Sequence, residues 1–262
     1  MRVRVPLKLW LLSLALLPSL ALLPSLTPAH ADPLRVAAAA NLQKVFAEAL
    51  LPAFTKKTGV PVTPTYGATK ALATQIENGA PVDVFIAADT ETVQKLARER
   101  IVIAGTVHPY AIGRLVLWTR RDAARHPRRL QDLADPGYAH VAIANPKTAP
   151  YGLAAQQAFA HDGLTASVTP RLVQAENIGQ ALQYAQSGNA DVALTALALV
   201  IEDKTDPYVI VPDGEHAPIT QSLGLVRTTT HTTQALQFIT FLTGKDAAKI
   251  WKQYGYALPR RP

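Results

Sequence analysis

Val82-Asp83-Val84-Phe85-Ile86-Ala87-Ala88-Asp89 is an apolar run closed by a carboxylate placed to cap a helix, and Val93, Leu96 and Ala97 beyond it share one helical face. A short, almost wholly apolar strand leading directly into a helix is the pattern of a parallel sheet covered on both faces. The same grammar holds upstream. Leu34-Arg35-Val36-Ala37-Ala38-Ala39-Ala40 reads as a buried strand, Asn41 as an N-cap, and Leu42, Val45, Phe46, Ala49, Leu50 and Phe54 as the stripe of a helix that Gly59 ends. Pro52 inside that stripe must kink or weaken its last turns. Between the two units, residues 60–66 are extended, Gly67-Ala68-Thr69 turns, and a helix carries Leu72 and Ile76 until Gly79 and Pro81 break it.

Downstream the alternation continues. Residues 140–144 form a strand, 146–150 a loop, and Tyr151-Gly152 opens a helix through Phe159. Residues 172–174 form another strand, and Asn177 caps a helix whose face is Ile178, Ala181, Leu182 and Ala185. Gly188 stops it before a strand at 191–195. The fold class is therefore α/β, in two lobes that are each a mixed, mostly parallel sheet flanked by helices. The expected division is 32–112 with 219–262 for lobe I and 113–218 for lobe II. Crossings near 110–112 and 218–220 suit a hinge that closes on a ligand, and a C-terminal helix over 233–254 should pack back on the first lobe.

At 262 residues, with 48% apolar side chains, the chain is long enough for a sizeable core, and 17% charged residues exclude a disordered or coiled-coil class. Residues 1–31 read as a secretory signal: Arg2, Arg4 and Lys8, then the apolar run from Leu9 to Leu26, then Ala29-His30-Ala31 with cleavage after Ala31. Pro18 and Pro24 argue against a membrane-spanning anchor. Removing the signal turns a net charge of +7 into +4, a mild excess. Much of it lies in Arg120, Arg121, Arg125, Arg128 and Arg129, which have no interleaved aromatic residues for base stacking, so a solvated face is expected and nucleic acid is not. Cysteine is absent, which excludes a disulfide framework and a lipid-bearing Cys. These features point to a soluble periplasmic protein.

A catalytic signature is missing. The histidines at 30, 108, 126, 140, 161, 216 and 231 have no helical i, i+4 pair, and neither HExxH, GxSxG nor a P-loop occurs. What recurs is a set of strand-to-helix junctions built from small residues: Ala39-Ala40-Asn41, Gly67-Ala68-Thr69, Ala87-Ala88-Asp89, Pro150-Tyr151-Gly152 and Glu176-Asn177-Ile178. Each leaves unpaired helix N–H groups and partial positive charge, and Asn41, Thr69 and Tyr151 add side-chain donors. Ordinary capping explains any one junction. Several pointing into one cleft would hold an anion.

At these junctions the sequence resembles the periplasmic molybdate-binding proteins that feed ABC transporters. The resemblance runs through Ala37-Ala38-Ala39-Ala40-Asn41-Leu42, Tyr66-Gly67-Ala68-Thr69, Asn78-Gly79-Ala80-Pro81, Asp83-Val84-Phe85-Ile86-Ala87-Ala88-Asp89, Pro150-Tyr151-Gly152, Glu176-Asn177-Ile178 and Ser187-Gly188-Asn189-Ala190-Asp191. It implies the periplasmic-binding-protein fold with a cleft between the lobes, no enzymatic activity and no cofactor. The implied ligand is molybdate or tungstate, held as an oxyanion through Asn41, Thr69, Ala88, Tyr151 and Ile178, with no metal cation. An inner-membrane ABC permease is the implied partner of a monomer. Ala196 stands where some members place a ligand-binding Tyr, so that bond is either lost or supplied by Tyr151. Lys70 puts a cation beside Thr69 that many members lack, and Glu176 should point away from a dianion. The competing expectations are a receptor for another tetrahedral oxyanion such as sulfate, and a secreted hydrolase.

Overall fold

The computed structural model describes residues 32–203 and 205–260. The signal at 1–31 lies outside the described residues. The strands are β1 (Leu34–Ala39), β2 (Val62–Gly67), β3 (Val84–Ile86), β4 (His108–Gly113), β5 (Leu115–Trp118), β6 (Val141–Ala144), β7 (Leu172–Ala175), β8 (Val192–Ala196), β9 (Tyr208–Ile210) and β10 (Ile219–Leu225). They form two five-stranded sheets, ordered β2-β1-β3-β10-β4 and β7-β6-β8-β5-β9. In the first, β1 is parallel to β2 and β3, and β10 is antiparallel to β3 and β4. In the second, β6 is parallel to β7 and β8, and β5 is antiparallel to β8 and β9. The α/β fold with two mixed sheets is thus present. The antiparallel half of each sheet comes from strands next to the crossings, where the chain leaves one sheet at Gly113 and returns to it at Ile219.

β1 shows why the parallel strands are Ala-rich. Val36 and Ala38 face one layer with Phe46, Phe54, Phe238 and Trp251, while Ala37 faces the other with Leu72, Phe85 and Leu96. Small side chains let helices approach both faces of a central strand closely. The second sheet is covered likewise, with Ala154, Ala158 and Phe159 on one side and Ala181, Leu182 and Ala185 on the other.

Three local expectations change. Asn41 is not a cap: it lies inside the helical turn Ala40–Leu42, after Ala39, and no side chain caps that turn. Pro52 does not weaken the last turns of its helix, which run on to Thr58; the irregularity lies before it, in a π-helical stretch, Phe46–Leu50, that gives the ring room where an α-turn would place a carbonyl against it. The C-terminal helix is two helices, Thr232–Leu242 and Lys245–Gln253. The chain turns sharply at Gly244, where a Cβ would come 2.9 Å from the Thr240 carbonyl oxygen. The Trp251 indole N–H then donates to the orphan Leu242 carbonyl at 2.9 Å, and the ring packs on Phe46. Both helices therefore return to the first sheet. No helix of the described residues is long and apolar enough to cross a membrane.

Candidate functional site

All five junctions leave the carboxyl ends of parallel strands: β1, β2 and β3 in the first lobe, β6 and β7 in the second. That edge is where open α/β sheets receive ligands, because the following helices aim their N-termini at it. Ala39, Ala40, Ala68 and Ala88 pack in one buried cluster with Ala149, Tyr151 and Ile178, so the junctions of both lobes meet. A backbone hydrogen bond, Lys70 N–H to the Thr148 carbonyl at 3.0 Å, crosses between them.

The donors differ from one junction to the next. Thr69 opens the helix Thr69–Glu77 and is 1% exposed. Its hydroxyl oxygen accepts the Ala88 N–H at 2.9 Å, and its proton has no acceptor among the described residues. A hydroxyl that takes an N–H on a lone pair turns its own hydrogen elsewhere. Ala88 thereby orients Thr69, and its N–H is engaged. At the helix Ile178–Gln186, Asn177 is a true cap whose Oδ1 accepts from the Gly179 and Gln180 N–H groups, leaving the Ile178 N–H. The helix Pro150–His161 has no side-chain cap, and Pro150 carries no N–H, so Tyr151 presents the first one.

Asn41 departs from the sequence expectation. It is fully buried, but its Nδ2 donates to Gln221 Oε1 and to the Tyr256 hydroxyl, both at 2.9 Å. Both amide hydrogens are engaged, and Oδ1 has no partner. What Asn41 offers a ligand is its backbone N–H at the helix start. The Tyr151 hydroxyl accepts from Gln221 Nε2 at 3.1 Å, so it too is held from behind. Gln221 and Tyr256 were not legible in the sequence; the one available signal was a polar run, Thr220-Gln221-Ser222, inside a buried strand. Burial pushes the Tyr110 and Tyr151 phenols well above their ordinary pKa and raises Tyr256 as well, so all three stay protonated donors.

No Lys, Arg, Asp or Glu is among the buried residues at the junctions. Lys70 instead lines an opening of about 220 Å³ between the lobes, beside Asp89 and Glu91, and Ala88 is the one predicted residue that reaches it. Glu176 is exposed. Ala196 is buried in β8 opposite Leu115 and offers no side-chain donor. The arginine run pairs locally, Arg120 with Asp122, Arg125 with Asp135 and Arg129 with Asp132, as a solvated face would. Among the described residues a His161-Asp162-Glu215 cluster has metal-ligand spacing. It sits at the far end of the helix that Tyr151 opens, about 16 Å along its axis.

Residues 34–257 match the family of bacterial extracellular solute-binding proteins. The molybdate-binding protein ModA of Azotobacter vinelandii is 36% identical over 237 residues, 88% of this chain and 92% of that protein. ModA of Rhodobacter capsulatus is 35% identical over 232 residues, 87% of this chain and 90% of that one. The solved Azotobacter vinelandii periplasmic molybdate-binding protein superposes with a TM-score of 0.82 over 87% of this chain and 100% of its own, at 35% identity. With its two sheets, its facing junctions and this match along nearly its whole described length, the chain belongs to the bacterial extracellular solute-binding protein family.

Proposed function

We propose that this protein is a periplasmic receptor that captures molybdate or tungstate between its lobes and delivers it to an inner-membrane ABC permease, acting as a monomer without catalysis or cofactor. The signal at 1–31 directs export and is removed after Ala31. The moving bodies are 32–112 with 219–262, and 113–218. The anion takes the N–H groups of Asn41, Thr69, Tyr151 and Ile178 and the Thr69 hydroxyl, and Ala88 orients that hydroxyl.

One observation carries the reading: the junctions of both lobes pack together through Ala40, Ala68, Ala88, Tyr151 and Ile178, and the buried polar residues at these junctions, Asn41 and Thr69, are neutral. A buried ammonium or guanidinium would favour any anion. Fixed N–H and O–H groups select by size and protonation, because a protonated phosphate brings a donor that finds no acceptor. Relatives named for molybdate binding at 36% and 35% identity support the same ligand. An oxyanion panel tests it. Molybdate and tungstate should bind alike by calorimetry, and sulfate and phosphate at least tenfold more weakly, a gap of about 1.4 kcal/mol. In a melting assay the bound state gains about 2.7 kcal/mol at a hundredfold excess over the dissociation constant. Sulfate binding equal to molybdate binding would end the proposal.

A further inference from the structure

Gln221 lies in β10, fully buried, and both ends of its amide are engaged. Oε1 accepts from Asn41 Nδ2 at 2.9 Å and from the Tyr110 hydroxyl at 2.7 Å, while Nε2 donates to the Tyr151 hydroxyl at 3.1 Å. One side chain thus ties the first helix of lobe I to the helix that Tyr151 opens in lobe II. Asn41 is pinned further, because the Tyr256 hydroxyl accepts its other amide hydrogen and donates to its carbonyl at 3.1 Å.

Two independent features of the backbone serve this contact. The pairing of β10 with β4 slips between Gln221 and Ser222, an irregularity of the kind that re-aims a side chain. Gly113, the last residue of β4, clears the space: a Cβ there would stand 2.0 Å from the Tyr151 hydroxyl oxygen and 2.5 Å from Gln221 Nε2. Glutamine also fits by chemistry, since the position needs an acceptor toward Asn41 and Tyr110 and a donor toward Tyr151.

We propose that Gln221 is a positioning residue of the oxyanion site: its amide fixes the Asn41 junction of one lobe against the Tyr151 helix of the other, in the placement the closed cleft requires. The inference rests on the oxyanion reading above. It touches no ligand and acts through the two junctions it joins.

A double-mutant cycle on affinity tests it. Native protein, Gln221→Met, Tyr151→Phe, the double variant and Tyr110→Phe are titrated calorimetrically with molybdate, tungstate and sulfate, and their ligand-free melting is recorded. Gln221→Met and Tyr151→Phe should each weaken the tightest-bound oxyanion at least fivefold. The double variant should stay within twofold of the weaker single variant, because both remove one bond. Tyr110→Phe also strips a hydrogen bond from Gln221 but leaves the two junctions joined, so it should bind within twofold of native even if it melts lower. Affinity within twofold of native for Gln221→Met, multiplicative losses in the double variant, or an equal loss in Tyr110→Phe would each overturn the proposal. If Gln221→Met does not fold, Gly113→Ala carries the test: it keeps both side chains and forces their bond apart, so a fivefold loss is expected and unchanged affinity overturns. Native protein that prefers sulfate ends the molybdate reading, and the cycle is then read on sulfate. Native protein that binds none of the three overturns both.

Discussion

Asn41 and Thr69 look alike in the sequence, polar residues just past a strand, yet their surroundings give them different work. The Thr69 hydroxyl keeps a proton with no acceptor among the described residues, whereas both amide hydrogens of Asn41 are taken by residues 180 and 215 positions away. Thr69→Val should therefore weaken molybdate by about 1.5–3 kcal/mol, the worth of a hydrogen bond to a charged acceptor, and Thr69→Ser should restore it in calorimetry. Asn41→Ala should first lower ligand-free stability, by about 1–3 kcal/mol in denaturant unfolding, because it leaves buried partners unpaired. Which of two such residues faces a ligand was not legible, since sequence spacing says nothing of partners from the far end of the chain. Asp83 is a second case, standing in the run that identifies the first sheet. Burial would raise its pKa, but hydrogen bonds from the Thr229 hydroxyl, the Arg35 N–H and His231 outweigh it and hold the carboxyl below its ordinary value. A depressed carboxyl stabilises the fold above its unfolded pKa, and that share is lost as pH falls through the folded one. Asp83→Asn should thus be less stable than native at pH 7, and urea unfolding should show the difference shrinking below about pH 4.

At the scale of elements, β1, β3 and β6 were readable because each belongs to a mostly apolar run that ends at Asn41, Asp89 or Asn145, and Asn177 caps as its position suggested. The antiparallel strands were not. β4 and β10 contain Pro109, Gly113 and Gln221, and their order arises from pairing across about a hundred residues of intervening chain, which no local pattern records. Gly152 shows how an element-level contact can overrule propensity. Inside the helix Pro150–His161 an alanine would be the better helix former by about 1 kcal/mol. Here, however, a Cβ would lie 2.1 Å from the Ala144 carbonyl oxygen at the end of β6, a backbone atom that cannot swing aside. The glycine sets how closely this helix meets its strand, and so where the Tyr151 N–H stands. Gly152→Ala is expected to destabilise by about 1–3 kcal/mol, the usual cost of overpacking. Scanning calorimetry should show a fall of about 2–4 °C for each kcal/mol. A raised melting temperature would mean that the helix sits farther from β6.

For the whole molecule, the balance between open and closed follows from what the closed cleft buries. The Thr69 hydroxyl proton and the helix-start N–H groups lie where solvent is nearly excluded, with Thr69 1%, Tyr151 1% and Ile178 3% exposed. Each buried donor without an acceptor costs about 1–3 kcal/mol. Closing without an anion therefore works against several such costs, and the Lys70 to Thr148 bond with the apolar contact around Tyr151 and Ile178 works in favour. A tetrahedral dianion reverses the sign of the donor contribution, because its oxygens accept from both lobes at once, and a ligand shifts a conformational equilibrium only by such differential contact. Ligand-free protein should accordingly populate an open form, and molybdate should draw the lobe carrying Thr69 toward the lobe carrying Tyr151 and Ile178. Small-angle scattering at matched concentration should show a smaller radius of gyration with saturating molybdate than without. Thr69→Val should blunt the contraction at the same molybdate concentration, because it removes one of the donors that favours closure only when the anion is present. An identical profile with and without molybdate, in native protein that calorimetry shows to be saturated, would mean that the donors are already closed around solvent and that the cleft does not move.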